Sequence, residues 1–275
     1  MARSADEEDL DWASFDSVAE TYARVQAPQH SVVAADVVEL LEIAPRSRVL
    51  DVGTGTGAAA RAAAKATGAE GMVVGIDLSI PMLRLAAGEG MARFAAARAI
   101  DMPFRDATFS HELACFVLGA LPNYQTALYE MLRVLSPLGG LGIATWAPGD
   151  DRDELSLAWR EVAEQFAERE MLEDARERAL PWEGLFSDRD RAKDALHDAG
   201  LRDIWVEKRT YRFETNARDY LDSREVSAAG RFLRRMLGGE FWGTFRSRVE
   251  AVFADRFPQR FNDFREALLI VGHKP

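Results

Sequence analysis

Residues Val49 to Ala63 read VLDVGTGTGAAARAA. A short apolar run ends in three glycines at alternate positions, and an alanine-rich stretch follows. Glycine is a poor helix former, so three of them directly before a helix must serve the turn rather than the helix. Glycine permits positive φ and has no Cβ, which lets bare main chain approach a ligand closely. The helix that follows offers unpaired N–H groups and a partial positive charge at its start. A strand that enters a helix through such a turn is the cofactor corner of a doubly wound α/β sheet. Asp77 ends the next apolar run, Met72–Asp77. A carboxylate there accepts hydrogen bonds from ribose hydroxyls, and its distance along the chain from Gly53 suits that geometry.

The spacing of the glycines bears on which cofactor is meant. A dinucleotide site uses G-x-G-x-x-G with a diphosphate on the helix N-terminus. Here Gly57 comes one residue early, and Asp51 stands two residues before Gly53. A carboxylate is poorly placed beside a diphosphate and well placed beside an ammonium group. The pattern favours an adenosyl ligand with an amino-acid tail and no phosphate.

Strand and helix patterns alternate around this corner. Arg48–Val52, Met72–Asp77, Arg93–Ala97, Glu112–Val117 and Leu141–Trp146 read as strands. Ala58–Ala66, Pro81–Gly88 (with Ser79 as N-cap) and Thr126–Leu135 read as helices, and Pro137, Gly139 and Gly140 as a turn. Such alternation predicts a parallel sheet covered on both faces. Before it, apolar residues from Trp12 to Val25 recur at helical steps, Pro28 interrupts, and Val32–Leu41 reads as a second helix. After Pro148 the rhythm breaks. A long charged helix over 151–177, a helix Asp188–Ala199, a strand Ile204–Phe213, helix over 217–256 broken at Gly238–Gly239, and a last strand Ala267–Val271 follow. The charge run at 149–154 reads as a solvated helix start.

Composition excludes some functions. The chain has 275 residues and a formal net charge of −11, which opposes nucleic-acid binding through phosphates. Cys115 is its single cysteine, so neither an internal disulfide nor a cysteine-based zinc site is expected. No apolar run reaches the roughly 18–20 residues that span a bilayer, and the acidic first residues do not read as a signal peptide. A cytoplasmic protein with no membrane partner is expected.

The sequence resembles the class I S-adenosylmethionine-dependent methyltransferases, in particular the ubiquinone/menaquinone C-methyltransferases and many natural-product methyltransferases. The stretches that carry the resemblance are FDSVAETYARV (15–25), VLDVGTGTG (49–57), VVGIDLSIPML (73–83), DMPFRDATF (101–109), LRVLSPLGG (132–140) and VGHKP (271–275). They cover most of residues 15 to 146 and the final strand. The resemblance implies an α/β, Rossmann-like doubly wound seven-stranded sheet with its last strand antiparallel. It implies one methyltransferase domain over 1–275, with a core at roughly 36–150, 200–213 and 266–275. Helical lid or cap elements would then occupy roughly 12–35, 151–199 and 214–262.

The resemblance also implies roles. S-adenosyl-L-methionine would be the cofactor and S-adenosyl-L-homocysteine the product. Tyr22 would close over the cofactor. Asp51, Gly53, Thr54, Gly55 and Gly57 would hold its methionine moiety. Asp77 would take the ribose, Leu78 and Met82 would flank the adenine, and Phe116 would line the other side. The chain departs from the family at Arg98-Ala99, where an aspartate commonly reaches the adenine amino group. Arginine cannot accept that bond, so either Asp101 swings in or the Ala99 backbone and packing hold the base. The family's frequent His or Gln after the fourth strand is replaced by Gly119-Ala120.

Methyl transfer is an in-line displacement on an activated sulfonium, so the protein must chiefly align the reactants and exclude water. A small, apolar or aromatic methyl acceptor is expected, and the chain would act as a monomer or homodimer. His30, read as a turn residue between the two N-terminal helices, is the candidate base. Trp146 and, among the cap aromatics, Phe232 are candidates for the acceptor pocket. The competing readings are a non-catalytic cofactor-binding protein on the same fold and a nicotinamide-dependent reductase.

Overall fold

A computed structural model describes residues 13–88, 90, 92–148 and 153–275. The chain first forms two helices, α1 (Ala19–Val25) and α2 (Ala27–Leu40). Strand β1 (Arg48–Val52), helix α3 (Ala58–Thr67), strand β2 (Met72–Asp77), helix α4 (Ile80–Ala87) and strand β3 (Arg93–Ala96) follow. Next come β4 (Phe109–Cys115), α5 (Tyr124–Val134) and β5 (Leu135–Trp146). Helices α6 (Glu154–Ala163), α7 (Arg169–Ala179), α8 (Glu183–Phe186) and α9 (Arg189–Asp198) lead to β6 (Arg202–Thr215). Helices α10 (Ala217–Val226) and α11 (Ala228–Arg256) precede the last strand, β7 (Phe261–His273).

The seven strands form one sheet in the order β3-β2-β1-β4-β5-β7-β6. Strands β1 to β5 pair in parallel, and β7 runs antiparallel to both β5 and β6. The expected seven-stranded doubly wound sheet with an antiparallel last strand is therefore present. Its strand order reverses between β1 and β4, and the crevice beyond the carboxyl ends of those two strands is where such sheets bind ligands.

Successive side chains of a strand point to opposite faces, so β1 feeds two cores. Val49 joins Val33, Val37, Ala59, Ala60 and Ala63 beneath α2 and α3. Leu50 and Val52 join Leu128, Met131, Phe186 and Leu196 beneath α5, α8 and α9. Alanine on the buried stripe of α3 lets that helix sit close to the sheet, which in turn brings the glycine turn down to the strand ends. A third cluster, with Trp159, Tyr220, Leu233, Phe245 and Phe253, holds α6, α7, α10 and α11 together.

Several sequence-level boundaries move. Trp12 and residues 149–152 lie outside the described residues. Pro28 does not interrupt a helix; it stands in the first turn of α2, where its missing N–H costs nothing. His30 is accordingly a helix residue, 7% exposed, and not a surface-turn residue. The expected helix over 151–177 is two helices, parted between Ala163 and Arg169. The expected turn at Pro137–Gly140 is absorbed into β5, with Leu138 at φ 61° and a register shift between Phe109 and His111 of the neighbouring strand. The break expected at Gly238–Gly239 is present: Gly238 has φ 67° and ψ 180° within α11.

Candidate active site

The glycine turn bends as its sequence requires. Gly53, Gly55 and Gly57 have φ of 68°, 52° and 83°. At Gly53 a side chain would also collide with Val117, whose Cβ would lie 2.7 Å away. At Gly55 the nearest atom to an added methyl is the Tyr22 hydroxyl at 3.9 Å, so that face of the loop is open. The turn is tied down by bonds from the Thr54 N–H to the Ile76 carbonyl (2.9 Å) and from the Gly57 N–H to the Thr54 carbonyl (2.8 Å).

Two carboxylates flank it. Asp51 is 1% exposed. Its Oδ2 accepts from the Thr54 hydroxyl at 2.6 Å and from the Ala60 N–H at 2.9 Å. Burial outweighs those bonds and pushes the carboxyl up to about 7. Asp77 accepts from the Gly55 N–H at 2.8 Å on Oδ2 and from the Ser79 N–H at 2.8 Å on Oδ1. Burial raises its pKa too. A carboxylate has about four acceptor positions, so these bonds fix Asp77 without using all of its capacity. Ser79 caps α4 through a bond from the Met82 N–H, as its sequence position foretold, and donates its own hydroxyl to Asp16 at 2.6 Å. The segment before α1 is thereby fastened over the end of β2.

An aromatic wall stands on the other side. The Tyr22 hydroxyl and His30 Nδ1 are hydrogen-bonded at 2.7 Å. The His30 ring stacks on Phe116 with centroids 4.1 Å apart, and Phe116 lies 4.6 Å from Trp146. Phe116 directly follows β4 and has φ 60°, an uncommon conformation for a residue with a Cβ and one that concentrates at functional sites. Burial and the nearby Arg265 push His30 down to about 3, so its imidazole is neutral at physiological pH. Burial and the adjacent Asp77 and Asp51 raise the Tyr22 phenol. Tyr22, His30, Asp51, Gly53, Thr54, Cys115 and Phe116 share one cavity with Ala34, Ala58 and Ala59.

The remaining sequence candidates fall around this centre. Met82 is 3% exposed, whereas Leu78 is 69% exposed at the end of β2. Arg98 is exposed and bridges in an antiparallel sense to Asp101, and Ala99 lies in the turn between them. Phe232 packs against the cap cluster of α6, α7, α10 and α11. The residues that sequence reasoning passed over are Val117, which backs the first glycine, and Arg265, whose guanidinium lies 5.4 Å over the Trp146 ring; Cys115, noted there only as the single cysteine, lines the cavity. Their roles depend on neighbours distant in sequence. Among the described residues no cluster of His, Cys, Asp and Glu is arranged to hold a metal ion, and no helix is long and apolar enough to cross a membrane.

Comparison with known proteins agrees with this arrangement. A methyltransferase-domain family model matches residues 49–139, the span from β1 into β5. A demethylmenaquinone methyltransferase of Geobacillus kaustophilus is 29% identical over 220 residues, covering 72% of this chain and 90% of the relative. Among solved structures, a putative methyltransferase of Bacillus halodurans aligns with a TM-score of 0.55 at 19% identity, over 88% of this chain and 98% of its own. A phosphoethanolamine N-methyltransferase of Haemonchus contortus, solved with phosphomonomethylethanolamine and S-adenosylhomocysteine, aligns with a TM-score of 0.54 at 16% identity, over 89% and 52%. At such identities the structures speak to the fold alone. Sheet order, glycine turn and matched sequence together define a class I S-adenosylmethionine-dependent methyltransferase. The chain is an enzyme of that class, and S-adenosyl-L-methionine is its cofactor.

Proposed function

We propose that the enzyme transfers a methyl group to a small apolar or aromatic acceptor, and that it does so chiefly by holding the acceptor in line and keeping water out. The observation that carries this reading is the continuous wall Tyr22–His30–Phe116–Trp146 beside the glycine turn. The menaquinone-type substrate in the name of the Geobacillus relative is of the same chemical kind.

The residues present fit the cofactor. Gly55 leaves room that a side chain would fill. Asp51 is a buried carboxylate whose bonds fall on one oxygen, and an ammonium group would complete it. Asp77 would take the ribose hydroxyls, while Leu78 and Met82 would border the adenine and the Ala99 backbone would face its edge. When bound, the cofactor supplies a sulfonium-activated methyl group. Tyr22 would close the site from α1, and the aromatic faces would stabilise the positive charge before it is dispersed. His30, held neutral and bonded to Tyr22, orients that phenol and fills the wall. An imidazole pushed to about 3 is too weak a base to take a proton from an ordinary alcohol or amine. The acceptor is therefore one that is already nucleophilic or ionises readily, such as a hydroquinone or phenol.

Calorimetry with S-adenosylhomocysteine and with NADH tests the cofactor side. Binding of the first and not the second is expected, with Asp77→Ala weakening it about 10- to 100-fold through loss of charged hydrogen bonds. Transfer of labelled methyl from S-adenosylmethionine to a panel of hydroquinones, phenols and aliphatic amines tests the acceptor side. Turnover confined to the amines would refute the aromatic reading.

A further inference from the structure

The N-terminal half of α11 presents a cation that no carboxylate pairs with among the described residues. Arg231 is 5% exposed. Its Nη1 donates to the Val226 carbonyl, while its Nε is buried without any hydrogen-bond partner. Among the described residues no carboxylate pairs with it, although acids are close at hand in the sequence. Asp222 and Glu225 are both engaged by other arginines: Arg24 and Arg246 hold Asp222, and Arg234 and Arg246 hold Glu225. Burial alone pushes the Arg231 guanidinium down to about 10, so it stays charged at neutral pH.

Its position ties it to the site. The guanidinium lies over the Phe15 ring, 4.1 Å from the centroid. Phe15 meets the Tyr22 ring edge-on with centroids 5.8 Å apart, and Tyr22 lines the cavity. Asp16, the next residue, is bonded to Ser79 beside the ribose acid Asp77. Arg231 thus lies one aromatic ring removed from the cofactor corner, on the cap side. A desolvated guanidinium with spare donors costs free energy unless an anion meets it. Its planar fork is suited to a carboxylate or phosphate.

We propose that Arg231 receives an acidic group on the methyl acceptor, so that the preferred substrates are aromatic acids rather than neutral aromatics. This rests on the proposed function and narrows it. The ring of such an acceptor would lie against Tyr22 and Phe116, and its acid would point toward α11.

The test is calorimetry on the full chain saturated with S-adenosylhomocysteine, titrated with 1-hydroxy-2-naphthoate and with 1-naphthol. The wild type should favour the naphthoate about 10- to 100-fold, as expected for a charge-assisted contact. Arg231→Met should abolish that preference and leave 1-naphthol and S-adenosylhomocysteine binding within about twofold. Arg231→Lys keeps the charge and should retain part of the preference, which keeps the test valid if the Met variant folds poorly. Equal affinity for the two naphthalenes in the wild type, binding of neither, or a preference that survives in Arg231→Met overturns the proposal. A loss of S-adenosylhomocysteine binding in Arg231→Met, with methylthioadenosine unaffected, would assign the arginine to the cofactor's carboxylate and equally overturn it. Failure of the wild type to bind S-adenosylhomocysteine at all would instead strike the proposed function itself.

Discussion

Two glycines in one turn should fail in different ways when each receives a methyl group. At Gly53, alanine would be held at φ 68° with its Cβ driven into Val117. The left-handed backbone costs roughly 1–2 kcal/mol, and overpacking against a buried neighbour adds roughly 1–3 kcal/mol. The sum is about 2–5 kcal/mol, which for a chain of this size lowers the melting temperature by around 10 °C. At Gly55, alanine would pay the backbone cost alone, since its Cβ meets nothing nearer than the Tyr22 hydroxyl at 3.9 Å. Its melting temperature should fall by roughly 5 °C or less. Yet that methyl occupies the open face of the loop where the proposed cofactor would lie, so S-adenosylhomocysteine affinity should drop at least about tenfold, on the order of 1.4 kcal/mol. Differential scanning calorimetry and titration calorimetry on both variants separate the two effects. If Gly53→Ala melts within a degree or so of the wild type, or if Gly55→Ala binds S-adenosylhomocysteine undiminished, the division of labour within the turn is wrong.

Asp51 is pushed to about 7 in the fold against an ordinary value near 4, so the folded apo protein binds the extra proton. The stability this confers is complete below pH 4 and lost as pH rises through 7; Asp51→Asn should flatten that part of a melting-temperature profile. An ammonium ligand favours the carboxylate, so S-adenosylhomocysteine binding near pH 6 should release a proton, visible as a buffer-dependent calorimetric heat that Asp51→Asn removes. His30, lowered to about 3, does not change charge between pH 5 and 8. The pH–rate profile should therefore lack an imidazole limb near 6.5, and His30→Ala should reduce the rate by a similar factor at every pH in that range. Glu112 is fully buried in β4 with neither carboxyl oxygen bonded, and burial raises its pKa well above the ordinary range despite the attraction of Lys274. Its contribution is lost as pH rises, so Glu112→Leu should stabilise by about 1–3 kcal/mol, with the gain in melting temperature larger at pH 9 than at pH 6.

The sheet and the glycine turn were legible because they depend on short-range signals. Alternate glycines after β1 can serve little but a left-handed turn, and Ser79 followed by Ile80-Pro81 marks a helix start within three residues. The acceptor side was less legible because it is assembled from residues far apart. His30 reads as a turn residue after Pro28, since proline is consistent with either a break or a helix start; only the packing of Val33 and Val37 on the sheet decides for the helix. Trp146 could be read as a wall residue from its place at the end of β5. Arg265, above it on β7, is 119 positions away, and no local pattern joins them. The split of the charged run after residue 153 is likewise set by tertiary packing, as Val162 and Leu172 both turn inward to the cap cluster around Phe245.

The placement of buried charge gives the site a direction. Asp51 lies at the floor, at the end of β1, and lacks a cation among its bonded neighbours. Arg231 lies near the start of α11 and, among the described residues, lacks an anion. Contacts run from Arg231 through Phe15 to Tyr22, which lines the same cavity as Asp51. A charge in either place is costly to desolvate; at Asp51 proton uptake relieves that cost in the free protein, and a ligand of opposite charge would offset it on either side. A zwitterionic cofactor below and an acidic aromatic acceptor above would satisfy both. Helix α1 is also joined to α10 by Arg24, which binds Asp219 and Asp222, and by Gln26, which donates to the Ser223 carbonyl. If α1 closes over the cofactor, these bonds would carry α10 with it, and the acceptor would be enclosed in the same step. That is the condition in-line transfer requires, since alignment is worth most when both partners are fixed together.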